Sequence, residues 1–596
     1  MSLVAQRQRA GTDLGDPVAP AARGGSWRTL RRLARAPLWA HAVLLAVLLT
    51  ALVPLVLGDE LSHADEGAAL VQALQLAEGD GWVDEHPFPA ADPEGRAYPI
   101  DLSMKKAGSL QYIPYARHPT YPLLLAPLVG ALGGTGATLL SVAGTVGAAV
   151  GAALLARRLD PRLDRLVLWS TALATPLVYD SYVVIAHTIA AAAVAFAVLL
   201  LTGRPSIGRI VGGCALLSAA QLLRNEAILL GGAFALALVA VGVWRRARAG
   251  IGVAIAVLGT TGATYLLDAR FASWVSGGEK TRPFVIEPGS SWIQDRLDAF
   301  SFTVLAPSDG STTALLLGSL ATVLVIAAAW VARRHPSDHS GITLFLTCAL
   351  GMAALHWYVA PSETIPGLLF ATPFAVAALV VARPSREPAP FTVVVLGAAA
   401  LFFLAVCATQ YGNGGGGGWG GRYFAIALPL VVPFAVRALR DAFTTIDAAG
   451  RRTVAAAAAA LVVVIAAHAV SSIALSHRIM GSYRDVVDAA AAETPAGDGD
   501  DRPVVVSTRR GLGRFAYRET REQRWLEVPD GSLGEYVTRL RELGVDRFVL
   551  LTREPEQHLA EVGATYRLAE ERHITTSVPF GRTATSNVVV LVMRAT

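Results

Sequence analysis

Apolar runs long enough to cross a bilayer recur along most of this chain, and they restrict its fold more than any motif does. A hydrocarbon core about 30 Å thick takes roughly 20 apolar residues as a helix, because no water there satisfies an open backbone. On that ruler spans are expected near 38–57, 136–156, 166–182, 186–202, 207–223, 227–244, 250–267, 312–332, 341–359, 364–382, 391–408, 423–438 and 453–475, about thirteen in all. Composition agrees, since 53% of the 596 residues are hydrophobic and 16% are charged, where soluble domains carry about 25% charge. The sequence therefore predicts an all-α polytopic membrane protein.

Arginine bias in the short loops orients the spans. Arg28, Arg31, Arg32 and Arg35 precede the first run, and alternate loops hold Arg157, Arg158, Arg162 and Arg165, then Arg204 and Arg209, Arg245, Arg246 and Arg248, Arg333 and Arg334, Arg383 and Arg386, and Arg437, Arg440, Arg451 and Arg452. Those loops are expected in the cytoplasm. Residues 1–36, polar and rich in Arg, Gly and Pro, read as a disordered cytoplasmic tail without a cleavable signal peptide. The loops between, chiefly 58–135, 268–311 and 409–422, belong outside, and the membrane domain is expected over 37–478. The apolar stretch Tyr121 to Leu132 is too short to span, and counting it would invert every later loop, so it reads as an interfacial or re-entrant helix.

Residues 479–596 change character. Val504 to Ser507, Arg547 to Thr552 and Val588 to Val592 look like short buried strands, and Leu533 to Leu543 has helical spacing ended by Gly544. A small extracytoplasmic α/β domain is expected, joined by a linker at Pro495 to Asp501. Cys214, Cys348 and Cys407 sit in or beside apolar runs without paired or metal-like spacing, and read as packing residues.

The chemistry is expected outside. Eleven carboxylates lie between Asp59 and Asp101, followed by Arg117 and His118. Ala68, Ala69, Val71, Leu74 and Leu76, closed by Gly79, place Asp65 and Glu66 in the first turn of an amphipathic helix, where acids favour the helix dipole. Asp180, Tyr182 and His187 bracket another outer loop; with Asp65 they could bind a divalent cation, Mg or Mn, although the spacing is not diagnostic. The glycines 414–418 lack the strand and Lys-Ser/Thr of a phosphate loop, and suit either a backbone close to sugar or a flexible lid. The long loop 268–311, with Trp274, Trp292, Glu279, Lys280 and Arg282, reads as a lid or an acceptor-binding element.

Three motifs in order resemble the glycosyltransferase C superfamily, the polytopic enzymes that use polyprenyl-phosphate sugars. They are HADEGAALVQAL at His63 to Leu74 after the first span, YARHPTYPLLLAPLVGALG at Tyr115 to Gly133, and GGWGGRYF at Gly417 to Phe424. The pattern looks most like the branch holding protein O-mannosyltransferases and the lipid A aminoarabinose transferase, and it covers nearly the whole chain. The resemblance implies an inverting hexosyl- or pentosyltransferase of a plasma membrane, bacterial in type. Its donor would be a polyprenyl-phosphate-linked sugar drawn from membrane lipid, and its acceptor a cell-envelope glycan, lipid or protein. No nucleic acid partner is expected, and the chain is expected to be a monomer. Mannose, arabinofuranose and aminoarabinose-like donors all occur in the family, and no residue here separates them.

Within that resemblance Asp65 is the expected base, since its motif begins there and one carboxylate within hydrogen-bond reach suffices to take the acceptor proton; Glu66 is second. Arg117 sits where the family keeps a phosphate-binding cation, with His118, Arg422 and Arg224 as further contacts to the leaving phosphate. Trp419, Tyr423 and Tyr182 are expected beside the sugar, and His187 with Asp65 at a metal. Plainer readings compete: an arginine snorkelling to lipid head groups for Arg117, a solvated loop histidine for His118, and a structural ion pair for Arg224 with Glu226. A transporter or flippase of lipid-linked sugars would use the same cations and aromatics. No internal repeat is visible, however, and the polar residues concentrate outside the spans.

Overall fold

A computed structural model of the chain describes residues 36–56, 64–100, 103–106, 108–115, 118–276, 291–305, 312–335, 338–359, 366–380, 390–409, 420–494, 502–578 and 582–596. Among them nine helices are long and apolar enough to cross a membrane: Leu38–Val56, Gly134–Arg157, Glu226–Trp244, Arg248–Val275, Leu315–Arg334, His339–Trp357, Pro390–Thr409, Arg422–Thr445 and Ala448–Glu493. His187–Leu201 and Ile207–Leu223 are equally apolar but have 15 and 17 residues. The other two runs on the bilayer ruler are not continuous helices. Residues 166–182 divide into Asp164–Leu173 and the short turn Leu177–Asp180, broken at Pro176. Residues 364–382 divide into Leu368–Ala371, a turn Pro373–Ala375 and Val376–Val380. Proline explains both breaks, because it donates no N–H and disfavours helical backbone in the residue before it.

Thr120–Leu132 is a separate helix of 13 residues, stopped at Gly133 (φ 62°) immediately before Gly134–Arg157 begins. It lies against the helix Ala64–Glu78 instead of extending into the next span. Much of loop 268–311 is helical: Arg248–Ser276 runs on into it, and Trp292–Phe300 is a further helix capped by Ser291, whose Oγ accepts from the Gln294 N–H at 3.1 Å. The stretches 277–290 and 306–311 lie outside the described residues, as do most of the N-terminal tail and the linker 495–501.

Among the described residues, the arginine-bearing loops gather at one end of the bundle. There Arg440 pairs with Asp160 at 2.6 Å, Arg158 lies over the Phe391 ring at 5.5 Å and donates to Thr202, and His339 approaches Asp447 at 3.9 Å. From this end the helix Ala448–Glu493 sets out, capped by Asp447, which accepts from the Gly450 N–H at 2.8 Å. Its 46 residues extend about 69 Å at 1.5 Å each, more than twice a bilayer core. The same helix therefore crosses the bundle and enters the C-terminal domain, and the boundary expected at 478–479 falls inside it. At its far end Glu493 receives Arg547 at 2.9 Å and Arg572 at 2.6 Å.

Two sheets occupy that far end. The first loop holds a small antiparallel sheet, in the order β1 (Asp84–Glu85), β3 (Gln111–Ile113), β2 (Met104–Lys105). The C-terminal domain holds a five-stranded sheet in the order β5 (Arg524–Glu527), β4 (Val504–Ser507), β6 (Arg547–Thr552), β8 (Arg582–Ala595), β7 (Tyr566–Val578). Strands β5, β4 and β6 are parallel, and β8 and β7 complete the sheet antiparallel. All four residues of β4 are buried, which is why it reads as an unbroken valine run. Its alternate side chains enter two cores. Val505, Val549, Leu551 and Val590 join the core that contains Val486, Val487 and Ala490 of the long helix. Val504, Val506, Leu550 and Leu591 pack under Tyr536 and Leu540 of the helix Leu533–Glu542 and against Phe88, Ala91 and Ala97 of the first loop. The first loop is thus a cover for the domain, and the domain is a roof over one end of the bundle.

Candidate active site

The helix Ala64–Glu78 forms because Ala68, Ala69, Leu70, Val71 and Ala73 supply a buried face, and it ends at Gly79 in a left-handed conformation (φ 88°). Glu66, in its first turn, is fully buried at the domain-bearing end of the bundle. It acts electrostatically on Tyr121, at the start of Thr120–Leu132, and on Tyr179 in the turn Leu177–Asp180. Asp180 closes that turn. Both its carboxylate oxygens are buried, and neither has a hydrogen-bond partner among the described residues. The charges it feels most are Arg422 and Arg224.

Arg224 sits in the tight junction between Ile207–Leu223 and Glu226–Trp244. Its Nε and Nη2 donate to the Glu226 carboxylate at 3.0 and 2.7 Å, a bidentate pair with side chains 11% and 7% exposed. Tyr115 and Arg422 also act on it. Arg422 opens the 3-10 turn Arg422–Ala427, with its guanidinium 5.4 Å from the ring centre of Tyr423. Two glycines set that turn. Gly420 and Gly421 have φ of 65° and 63°, a Cβ on Gly420 would meet Pro176 Cγ at 2.0 Å, and the Gly420 N–H donates to the Pro366 carbonyl at 2.7 Å. The loop presenting Arg422 is therefore wedged against the loop presenting Asp180.

Four loops far apart in sequence thus bring Glu66, Asp180, Arg224 with Glu226, and Arg422 to one place, ringed by Tyr115, Tyr121 and Tyr179. Tyr179 is held from below, its hydroxyl 3.1 Å from Ser476 Oγ of the long helix. Dry carboxylates facing two guanidinium groups can take up a proton and hold an anion side by side.

The other expected residues fall as follows. Asp65 lies in the first turn of Ala64–Glu78, but its side chain, like Arg117 and Trp419, is outside the described residues. His118 is buried where its carbonyl accepts from the Tyr121 N–H at 3.0 Å, at the start of a helix. Tyr423 is buried beside Arg422. Tyr182 faces the first span, where its hydroxyl donates to the Leu49 carbonyl at 3.2 Å. His187 is buried in the first turn of His187–Leu201. No group of three or more His, Cys, Asp or Glu that could hold a metal occurs among the described residues, which do not include the side chain of Asp65. Sequence reasoning missed Tyr115, Tyr121 and Tyr179, and it read Asp180 as an outer-loop acid that could join Asp65 at a divalent cation, not as a neighbour of the two arginines. Its signal was present, since an acid inside the apolar run 166–182 is costly unless used.

The roof is clamped by the first loop. Asp92 is fully buried; its Oδ2 lies 2.9 Å from His86 Nε2 and accepts from the Ala97 N–H at 2.6 Å, and its Oδ1 accepts from the Tyr536 hydroxyl at 3.0 Å. Burial alone would raise this carboxyl, but His86 and the backbone N–H groups of Ala97 and Arg96 hold it well below its ordinary range. Asp84 is raised, chiefly by burial, while accepting from the Tyr98 hydroxyl at 2.6 Å. Arg521 of the domain pairs with Asp80 at 2.9 Å and with Glu78.

A bundle of this kind, with its polar loops and a sheet domain at one end and arginine loops at the other, is the glycosyltransferase C fold. Among solved structures it is similar to ArnT from Cupriavidus metallidurans in the apo state, with 13% identity and a TM-score of 0.50 over 95% of this chain and 98% of that one. The same protein bound to undecaprenyl phosphate matches at 13% identity and a TM-score of 0.51 over 96% and 98%. The oligosaccharyltransferase of Archaeoglobus fulgidus, in complex with Zn and sulfate, gives 13% identity and a TM-score of 0.48 over 92% of this chain and 73% of that one. No family sequence model matches the chain, and no curated protein sequence matches it.

Proposed function

We propose that this protein is an inverting glycosyltransferase of a plasma membrane, moving one sugar from a polyprenyl phosphate to a hydroxyl of an extracytoplasmic glycan, lipid or protein. The observation that carries the reading is the convergence of buried acids with Arg224 and Arg422 at the end of the bundle beneath the domain. The fold shared with a structure bound to undecaprenyl phosphate supports a lipid-linked donor. In the proposed reaction the Asp65 carboxylate takes the acceptor hydroxyl proton. The acceptor oxygen attacks the anomeric carbon while the bond from that carbon to the phosphate oxygen breaks, and polyprenyl phosphate leaves with the electron pair. Arg422, Arg117 and His118 receive that charge, and Arg224, pinned by Glu226, adds field without having to move. Tyr423 and Trp419 border the sugar. The domain-bearing face is extracytoplasmic and the N-terminus cytoplasmic. A Mg or Mn ion is compatible with Asp65 and the buried Asp180.

The test is Asp65→Asn in purified protein, with donor consumption followed by mass spectrometry across mannosyl, arabinofuranosyl and aminoarabinosyl polyprenyl phosphates. Turnover is expected to fall by at least about 100-fold with donor binding retained. Turnover at the wild-type rate would sink the assignment.

A further inference from the structure

We propose that the C-terminal domain carries a saccharide-binding site of its own, for a sugar unit bearing a phosphate ester or a carboxylate. The topology provides the place. From β4 the chain goes to β5 on one side and then crosses back to β6 on the other, so the strand order reverses at β4. In open α/β sheets such a reversal parts the loops beyond the carboxyl ends of the strands and leaves a crevice. A cavity of about 290 Å³ lies there, lined by the loops that follow all three parallel strands: Thr508 to Arg510 after β4, Pro529 to Gly531 after β5, and Arg553 and Glu554 after β6. That is at the small end of ligand pockets, about 300–1,000 Å³, and suits one or two sugar units.

The lining states the chemistry. Arg509, Arg510 and Arg553 contribute guanidinium groups, while Asp530, Glu554 and Gln557 contribute acceptors of the kind that bind sugar hydroxyls. Several nearby arginines are paired, Arg484 of the long helix with Glu519 and Arg547 and Arg572 of the domain with Glu493. Among the described residues, Arg509 and Arg510 have no carboxylate within 4.0 Å, although Asp530 and Glu554 line the same cavity. The loop is also preorganised. Ser507 Oγ accepts from the Arg509 N–H at 3.1 Å, the Thr508 N–H donates to the Leu551 carbonyl at 3.1 Å, and the buried Glu527 accepts from the Gly511 N–H at 2.8 Å. Arg553 is anchored by Tyr483 of the long helix, its Nη2 donating to that hydroxyl at 3.1 Å. Only Pro529 and Leu533 are apolar among the lining residues, which excludes a lipid tail and favours a hydrophilic, charged sugar.

The site adjoins the candidate active site through a short connection. Gly511 to Arg514 follow Arg510 directly, and the Arg514 carbonyl lies against Gly67, two residues from Asp65. A charged saccharide held here would be an acceptor or part of one, and that role alone rests on the glycosyltransferase reading. The site itself does not.

Calorimetric titration of the full-length protein in detergent tests it, using glucose 6-phosphate, glucuronate, inorganic phosphate and glucose. At least one charged sugar is expected to bind about tenfold or more tightly than both glucose and inorganic phosphate, and to weaken as salt is raised. Comparing glucose 6-phosphate with glucuronate identifies the anion. Arg509→Gln with Arg510→Gln is expected to weaken that binding at least about tenfold with an unchanged melting temperature, and Arg510→Gln alone, at an exposed position, keeps the test readable if the pair is unstable. Glucose or phosphate binding as well as the charged sugars, or folded variants binding like wild type, would overturn the proposal. No donor or turnover enters the measurement, so an inactive enzyme would leave a positive result standing, and a negative one would leave the catalytic reading untouched.

Discussion

Asp92 shows how a single acid changes meaning between chain and fold. In sequence it is one of eleven carboxylates from Asp59 to Asp101; in the structure it is a fully buried acceptor between the first loop and Tyr536 of the roof. Because its folded pKa is depressed, its contribution to stability is complete above the ordinary value of about 3.8 and is lost as pH falls through the lower folded value. Proteolysis of the first loop is therefore expected to stay slow from pH 7 down to about 4 and to accelerate only in stronger acid. Asp92→Asn is expected to loosen the joint already at pH 7, by about 1–3 kcal/mol, and to flatten this part of the pH profile; a variant cleaved like wild type at pH 7 would refute the role. The neighbouring acids divide in the same way, Glu78 and Asp80 toward Arg521 and Asp84 toward Tyr98. Nothing in the sequence separates them from Asp65 and Glu66 except the helical spacing that follows those two. The partners of Glu78 and Asp80, and Tyr536 as a partner of Asp92, lie hundreds of residues away, and spacing rules see only local neighbours.

At the scale of elements, periodicity read well wherever one local pattern decided the outcome. The helix at Asp65, its stop at Gly79, the short helix after Pro119, β4 and β6 all lie where their residues place them. The two runs broken at Pro176 and Pro373 read less well, because hydropathy counts apolar side chains and overlooks a missing N–H. Strands β5 and β7 were not legible, since Arg524 and the charged run Glu570 to Arg572 hide strands whose pairing supplies the reason to extend. One close approach joins these elements to the site: a Cβ on Gly67 would stand 1.6 Å from the Arg514 carbonyl oxygen. Gly67→Ala is thus expected to push the roof off the acidic helix at a cost of about 1–3 kcal/mol or more. A disulfide-trapping pair spanning helix and domain would lose efficiency in this variant; unchanged trapping would mean that the contact is not needed.

For the whole molecule, the arginine loops and the domain occupy opposite ends of the bundle, which turns the arginine bias into a statement about sidedness. With Cys214, Cys348 and Cys407 replaced by serine, a cysteine at the exposed Leu543 is expected to react with an impermeant maleimide in intact cells. Protection until lysis would reverse the proposed orientation. The sequence alone determined that this chain lives in a membrane, that it is helical there and αβ at its end, and which short helix carries two adjacent acids, because apolar length, helical period and dipole preference are properties of contiguous residues. The tertiary structure alone decided which charges meet. Asp180, Arg224 and Arg422 become one site, and Arg509 and Arg553 one pocket, only when loops from separate helices and strands close on each other, and in a dry interior the field between charges depends on that distance in space.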